Sequence, residues 1–175
     1  MNEHASDREQ PETRARSEDR AGDVWYRDGL RFACTQCGNC CTGGPGAVWF
    51  TPEEGVAMAQ RLGLDEATFL ERFTRRIGTR RSLNERRTAF GYDCIFLDRA
   101  TRPGKAVCGL YEARPMQCRT WPFWPENLDS REAWTSVKER TPCPGMDSGP
   151  LHDFVSITIE RDRDRKAHAH GEDAS

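Results

Sequence analysis

At 175 residues, with 36% apolar and 31% charged residues, the chain is long enough for one domain with a real core and barely long enough for two. Its net charge of −2 gives no global reason to expect nucleic acid or an anionic membrane as partner, and no stretch approaches the ~20 apolar residues of a membrane span. The N-terminus lacks the apolar centre of a secretory signal, so a cytoplasmic location is expected.

Residues 1–23 are mostly Glu, Asp, Arg, Ser and Pro with no apolar run, and 160–175 are again charged; both read as disordered tails around a folded part spanning 24–159. "GLRFAC" (29–34) alternates apolar residues and predicts a short strand, and "AVWF" (47–50) predicts a second. "TPEEGVAMAQRLG" announces a helix: Thr51 caps, Pro52 fits the first helical position, Glu54 completes a capping box and Gly63 ends it. Val56, Met58, Ala59 and Leu62 form its expected apolar side. A second helix is expected from near Asp65, with Phe69, Leu70, Phe73 and Ile77 on one face. Residues 79–98 read as extended chain ending in "DCIFLD", and "KAVCGLY" (105–111) as a strand, with Arg99 to Gly104 turning between them. Trp134 to Val137 reads as one more strand. Leu151, Phe154, Val155, Thr158 and Ile159 have helical spacing and predict a closing helix. With no repeat and no glycine-rich phosphate loop, the fold class is a small α+β domain containing much irregular chain.

Eight cysteines, at 34, 37, 40, 41, 94, 108, 118 and 143, all fall inside the folded part. In a reducing cytosol such a set points to metal binding or catalysis rather than disulfides. Cys34, Cys37 and Cys40 form an uninterrupted triple at two-residue spacing. That triple resembles the run that holds three corners of a [4Fe–4S] cluster in bacterial ferredoxins, with the fourth ligand from elsewhere. Gly38, Gly43, Gly44 and Gly46 would let backbone N–H groups approach the sulfurs. Cys41 breaks the ferredoxin pattern; two centres, or one centre and a free thiol beside it, would accommodate both Cys40 and Cys41. Cys94, Cys108, Cys118 and Cys143 are scattered among turn signals, as ligands gathered by a fold would be, although Cys94 inside "CIFL" also suits a small buried hydrophobe. Dithiol exchange is disfavoured, because Thr42-Gly43-Gly44-Pro45 is a poor helix start and such chemistry wants its thiol at a helix N-terminus.

The strings "FACTQCGNCC", "DCIFLD", "CGLYEARPMQCRTWPF" and "CPG", in this order over roughly residues 30 to 146, resemble the YkgJ-type cysteine-cluster family of zinc- or iron-chelating domains. The resemblance implies that Cys34, Cys37, Cys40, Cys41, Cys94, Cys108, Cys118 and Cys143 occupy the family's cysteine positions. It implies little about a reaction. A flagellin lysine methylase carries a similar domain, but this chain shows no loop recognisable as binding a methyl donor.

Around Cys118, Arg114 and Arg119 could offset thiolate charge, and Trp121, Phe123 and Trp124 could keep solvent away; the alternative for the aromatics is ordinary core packing. Tyr111 and Glu112 suit packing and a local pairing. Seven arginines between 72 and 87 fit a solvated face better than a nucleic-acid patch, because the chain uses 23 arginines against three lysines throughout. His4, His168 and His170 fall in the tails, where the last two could bind metal adventitiously. His152 suits a satisfied surface side chain better than a ligand near Cys143. The expectation is therefore a cysteine-ligated metal centre, an iron–sulfur cluster ahead of zinc, in a structural or electron-transfer role. An enzyme using the cluster and a zinc-stabilised interaction module are the alternatives, and neither a membrane nor nucleic acid is an expected partner.

Overall fold

The structure, a computed structural model, describes residues 24–169. Most elements are short, with six consecutive strands in the middle of the chain and three consecutive helices after them. In chain order, β1 (Leu30–Phe32) leads to a one-turn 3-10 helix at Asn39–Cys41 and directly into β2 (Thr42–Gly43). Next come α1 (Pro52–Arg61), α2 (Glu66–Phe73), β3 (Thr74–Ile77), β4 (Arg80–Leu83), β5 (Glu85–Thr88), β6 (Gly91–Cys94), β7 (Leu97–Asp98) and β8 (Val107–Cys108). A second 3-10 turn at Tyr111–Ala113 precedes α3 (Met116–Thr120), α4 (Pro125–Leu128), α5 (Arg131–Arg140), β9 (Met146–His152) and α6 (Phe154–Ala169). The result is a small single α+β domain whose strands pair only antiparallel: β1 with β9, β2–β6–β5, β3 with β4, and β7 with β8.

Local chemistry accounts for the clearest elements. The Glu54 N–H donates to Thr51 Oγ1 at 3.3 Å and the Thr51 N–H donates to Glu54 Oε2 at 3.0 Å, closing the capping box that starts α1. Asp65 caps α2 by accepting the Thr68 N–H at 2.8 Å. The α1 face that packs inward is narrower than its spacing predicts. Met58 and Ala59 are buried whereas Val56 is exposed, and Gly55 lies under the Phe50 ring. Ile77 is likewise exposed, because the chain has already left α2 for β3 there.

Three expectations are overturned. Trp134–Val137 is helical, inside α5, because Ser130 caps the Ala133 N–H at 3.1 Å and Trp134 and Val137, three apart, bury one helix face. "AVWF" makes one isolated bridge, Trp49 to Ser82, while the strand in this region is β2, from a Thr-Gly pair with no apolar signal. The closing helix starts only at Phe154, with Leu151 in β9, Val155 and Ile159 exposed and Ile157 buried instead, and it runs past residue 160, where composition suggests a solvated tail. The buried Asp164 accepts the Thr120 hydroxyl at 3.1 Å and the Arg161 guanidinium donates to the Tyr26 hydroxyl at 2.9 Å, so this charged stretch is tied to the domain. Residues 1–23 and His170 lie outside the described residues, as does the side chain of His168.

Two hydrophobic clusters form the interior. One gathers Tyr26, Trp121, Phe123, Leu128, Trp134, Val137, Cys143, Met146 and Ile157. The other gathers Met58, Ala59, Phe69, Leu83 and Leu110. Stacked or tilted rings reinforce each, with Phe123 on Trp134 in the first and Phe69 on Phe96 in the second. Cys37 packs against the first cluster and Cys94 and Cys108 against the second, which puts the thiols at the seam.

Thr51→Ala removes half of the capping box and is expected to cost about 1 kcal/mol, lowering the thermal midpoint by roughly 2–4 °C, whereas Thr51→Ser keeps it. Circular-dichroism melts of the two variants check this.

Candidate metal centre

All eight cysteines line a single cavity of about 120 Å³, together with apolar walls from Val48, Leu83, Leu97, Ala106, Trp121 and others. All eight are free thiols: Cys34 and Cys40 exposed, Cys143 buried, the rest between. Sequence positions as far apart as 34 and 143 are joined here by short pieces of ladder. Pairing of Phe32 with Met146, and an Ala33 N–H bond to the Gly145 carbonyl at 3.2 Å, bring Cys34 beside Cys143. The two backbones approach so closely that a Cβ on Gly145 would run into the Ala33 carbonyl oxygen. The Asn39 amide donates to the Pro142 carbonyl at 2.6 Å and fastens the middle of the cysteine run to the same place. On the other side, pairing of Thr42 with Asp93 in β2–β6 lays Cys41 next to Cys94, and pairing of Leu97 with Cys108 closes the corner.

Gly38 turns the run at φ 80°, and a Cβ there would meet Ala106 Cβ at 2.5 Å, so both the turn and the close approach require glycine. Cys118 comes from α3. The Met116 N–H donates to Glu54 Oε1 at 2.6 Å, and the Gln117 side chain accepts the Trp49 N–H at 2.7 Å. The capping-box glutamate of α1 therefore also holds the start of α3.

The electrostatics explain why the cavity wants a cation. Burial pushes the Cys94 thiol up to about 12, with the charges of Cys41 and Cys108 acting in the same direction. Burial also raises Cys108, and raises Cys118 well above an ordinary thiol, the latter helped by Cys41, Cys94 and Cys108. Cys41 is driven up by its contact with Cys40, sulfur to sulfur 3.7 Å, then by burial. Against this, backbone N–H groups two residues further along favour three of the thiolates: Phe96 for Cys94, Leu110 for Cys108 and Gly145 for Cys143. These N–H groups come from the distant cysteines' own turns, not from the glycines after Cys41. The Trp121 indole N–H, otherwise a buried donor without an oxygen partner, bears on Cys143. Arg114 lines the cavity, held over the Tyr111 ring at 3.7 Å, and favours the charged forms of Cys41, Cys108 and Cys118. Arg119 points elsewhere, to Glu54 at 3.4 Å, and His152 is engaged with the Phe32 carbonyl at 3.1 Å.

Two residues that sequence reasoning passes over stand behind the cluster. Asp93, 1% exposed, takes the Arg99 Nε–H at 3.0 Å and the Thr42 hydroxyl at 2.7 Å. Burial raises the Asp93 carboxyl, but the Arg99 and Thr42 hydrogen bonds outweigh it and hold the group below the ordinary carboxylate range. Only the polar-apolar alternation of "YDC" in an extended run hinted at an inward aspartate.

Among the described residues, no three His, Cys, Asp or Glu side chains are grouped closely enough to hold a metal ion as placed. The donor set nevertheless fits one: eight soft sulfurs in an apolar seam, several of them facing N–H donors poised for thiolates.

Residues 33–144 match the CxxCxxCC family, described as "Putative zinc- or iron-chelating domain", and the chain belongs to it. No solved structure matches the chain. No helix among the described residues is long and apolar enough to cross a membrane. The family's description supports metal binding as the general chemistry of the chain.

Two outcomes are expected of the metal-free protein. With a thiol alkylating reagent near neutral pH, the exposed Cys34 and Cys40 react first, and Cys94 and Cys118 last. The raised thiols keep the protonated form, so their rates rise about tenfold per pH unit until the raised value is reached. Mass-spectrometric peptide mapping reads the order. Asp93→Ala leaves Arg99, 25% exposed, without its counter-charge and is expected to cost about 2–3 kcal/mol in urea unfolding. Because the Asp93 carboxyl is held low, its stabilisation is present above the ordinary carboxylate range and fades as pH falls through the depressed value.

Proposed function

We propose that this protein holds an iron–sulfur cluster in the cysteine cavity, in preference to zinc, and that the cluster is structural or passes a single electron. The observation that carries this is the gathering of all eight thiols into one apolar-walled cavity between two hydrophobic cores. The uninterrupted Cys34, Cys37, Cys40 triple favours the cluster over a zinc site, which is normally built from two separated pairs. When bound, a cluster of this kind supplies a one-electron couple tuned by hydrogen bonds to its sulfurs and by solvent access.

The chain's own contributions can be named residue by residue. Cys34, Cys37, Cys40, Cys41, Cys94, Cys108, Cys118 and Cys143 are the proposed sulfur donors. The Phe96, Leu110 and Gly145 N–H groups and the Trp121 indole lessen the charge on three of them. Arg114 adds a positive charge at the wall. The Trp121–Trp124 pair, with rings 4.8 Å apart, keeps water from that side. Binding must displace protons from raised thiols, so affinity falls as pH drops. Free thiols in this number suit a reducing compartment, and the cytoplasm is the proposed location.

Neither alternative gains a specific observation. The cavity that an enzyme would use is the one the thiols themselves line. Several arginines of the 72–87 stretch that an interaction module would present are internally engaged: Arg75 with Glu85, Arg81 with Thr74, Arg86 with the Leu97 carbonyl, and Arg80 over the Trp49 ring.

Protein purified without oxygen is expected to be brown, with broad absorption near the visible–ultraviolet boundary and comparable iron and sulfide content. A colourless protein containing zinc alone would overturn the iron–sulfur reading and leave metal binding intact.

A further inference from the structure

We infer that the eight thiols form two adjacent four-sulfur centres of unequal accessibility: an open one from Cys34, Cys37, Cys40 and Cys143, and a closed one from Cys41, Cys94, Cys108 and Cys118. This rests on the metal-binding reading above but not on which metal is bound.

The backbone makes the division. The β1–β9 pairing, the Ala33–Gly145 hydrogen bond and the Asn39–Pro142 hydrogen bond all tie the first three cysteines of the run to the turn carrying Cys143. The β2–β6 pairing ties the fourth, Cys41, to Cys94, and the β7–β8 corner adds Cys108. The hydrophobic cores divide the same way, Cys37 and Cys143 with one and Cys94 and Cys108 with the other. Proximity of the thiols divides the same way in part: Cys41, Cys94 and Cys108 surround Cys118, and Cys37 stands by Cys143. Cys41 itself neighbours Cys40 and Cys37, so the two centres touch there.

The Cys40–Cys41 sulfur separation of 3.7 Å does not decide the matter by itself. It equals the sulfur–sulfur edge of about 3.8 Å in a tetrahedral site with 2.3 Å bonds, so the two could share one ion. The chain direction decides it: beyond Cys41 the backbone enters β2 and turns away toward β6, while Cys40 stays with the loop fastened at Pro142. Each set then has four sulfurs, the number a closed tetrahedral or four-cornered centre takes.

Exposure separates their behaviour. Cys34 and Cys40 are exposed, so the open centre presents ligands to solvent, to a chelator or to a redox partner. No thiol of the closed centre is exposed. The closed centre therefore belongs to the second core, and exchange or electron entry belongs to the open one.

The test uses the full chain, stripped of metal and reloaded with zinc ion under argon. Two zinc ions per chain are expected, released to a chromogenic chelator in a fast and a slow phase of comparable amplitude. Cys34→Ser and Cys40→Ser should each abolish the fast phase, halve the bound zinc and leave the slow phase and far-ultraviolet circular dichroism in place. Cys118→Ser should abolish the slow phase; should that variant unfold, the wild-type stoichiometry and the two exposed-site variants still decide. A single zinc per chain, lost on substituting either Cys34 or Cys118, overturns the partition while metal binding stands. Binding of neither zinc nor iron by the wild-type chain overturns both readings.

Discussion

Thiolates repel one another, and an apolar wall makes each of them harder to ionise, so eight of them cannot share a small cavity as charged groups unless a cation is present. The raised thiols at Cys94, Cys108 and Cys118 express the apolar wall first and the neighbouring thiols after it, and Cys41 expresses its contact with Cys40. The rest of the architecture follows from holding the sulfurs together in spite of it. Sheets of two or three short strands would be marginal alone, yet two of them here, β1–β9 and β2–β6–β5, each join one part of the cysteine run to a cysteine tens of residues away. The two hydrophobic cores close on either side of the seam and fix how near the sulfurs come.

The polar groups near the seam are arranged to make thiolates tolerable without filling the cavity. Three distant cysteines end short turns whose next-but-one N–H faces the sulfur, and the Trp121 indole and Arg114 guanidinium add to this from the wall. Behind Cys41 and Cys94, the buried Asp93 with Arg99 and Thr42 locks the β2–β6 junction. The contacts that gather the thiols are thus the same ones that complete the fold. A protein built this way gains stability when metal arrives, because binding energy is then also folding energy.

Local signals were fully legible where the chemistry is local. The Thr51–Glu54 capping box, the helix start near Asp65 and the β1 alternation stand as read, because each depends on residues two to four apart. Trp134–Val137 misleads because a short apolar pair spaced by three fits a strand end as readily as a helix face, and the deciding Ser130 cap lies outside the window. The charged end of α6 misleads because composition registers exposure on average and cannot register one aspartate, Asp164, meeting one hydroxyl, Thr120. Arg114 and Arg119 read alike in sequence, yet one lines the cavity and the other turns to Glu54, since five residues across the start of α3 reverse the side chain's direction.

The sequence alone determined the α+β class, the chemistry of the donors and the family, because spacing of thiols and turn residues is written along the chain. Only the tertiary structure decided that all eight thiols line one cavity, that Asp93 and Arg99 stand behind it, and which distant cysteine lies beside which part of the run. Those outcomes depend on strand register between segments about fifty to over a hundred residues apart, and register is set by burial and backbone hydrogen bonding across the fold rather than by any local pattern.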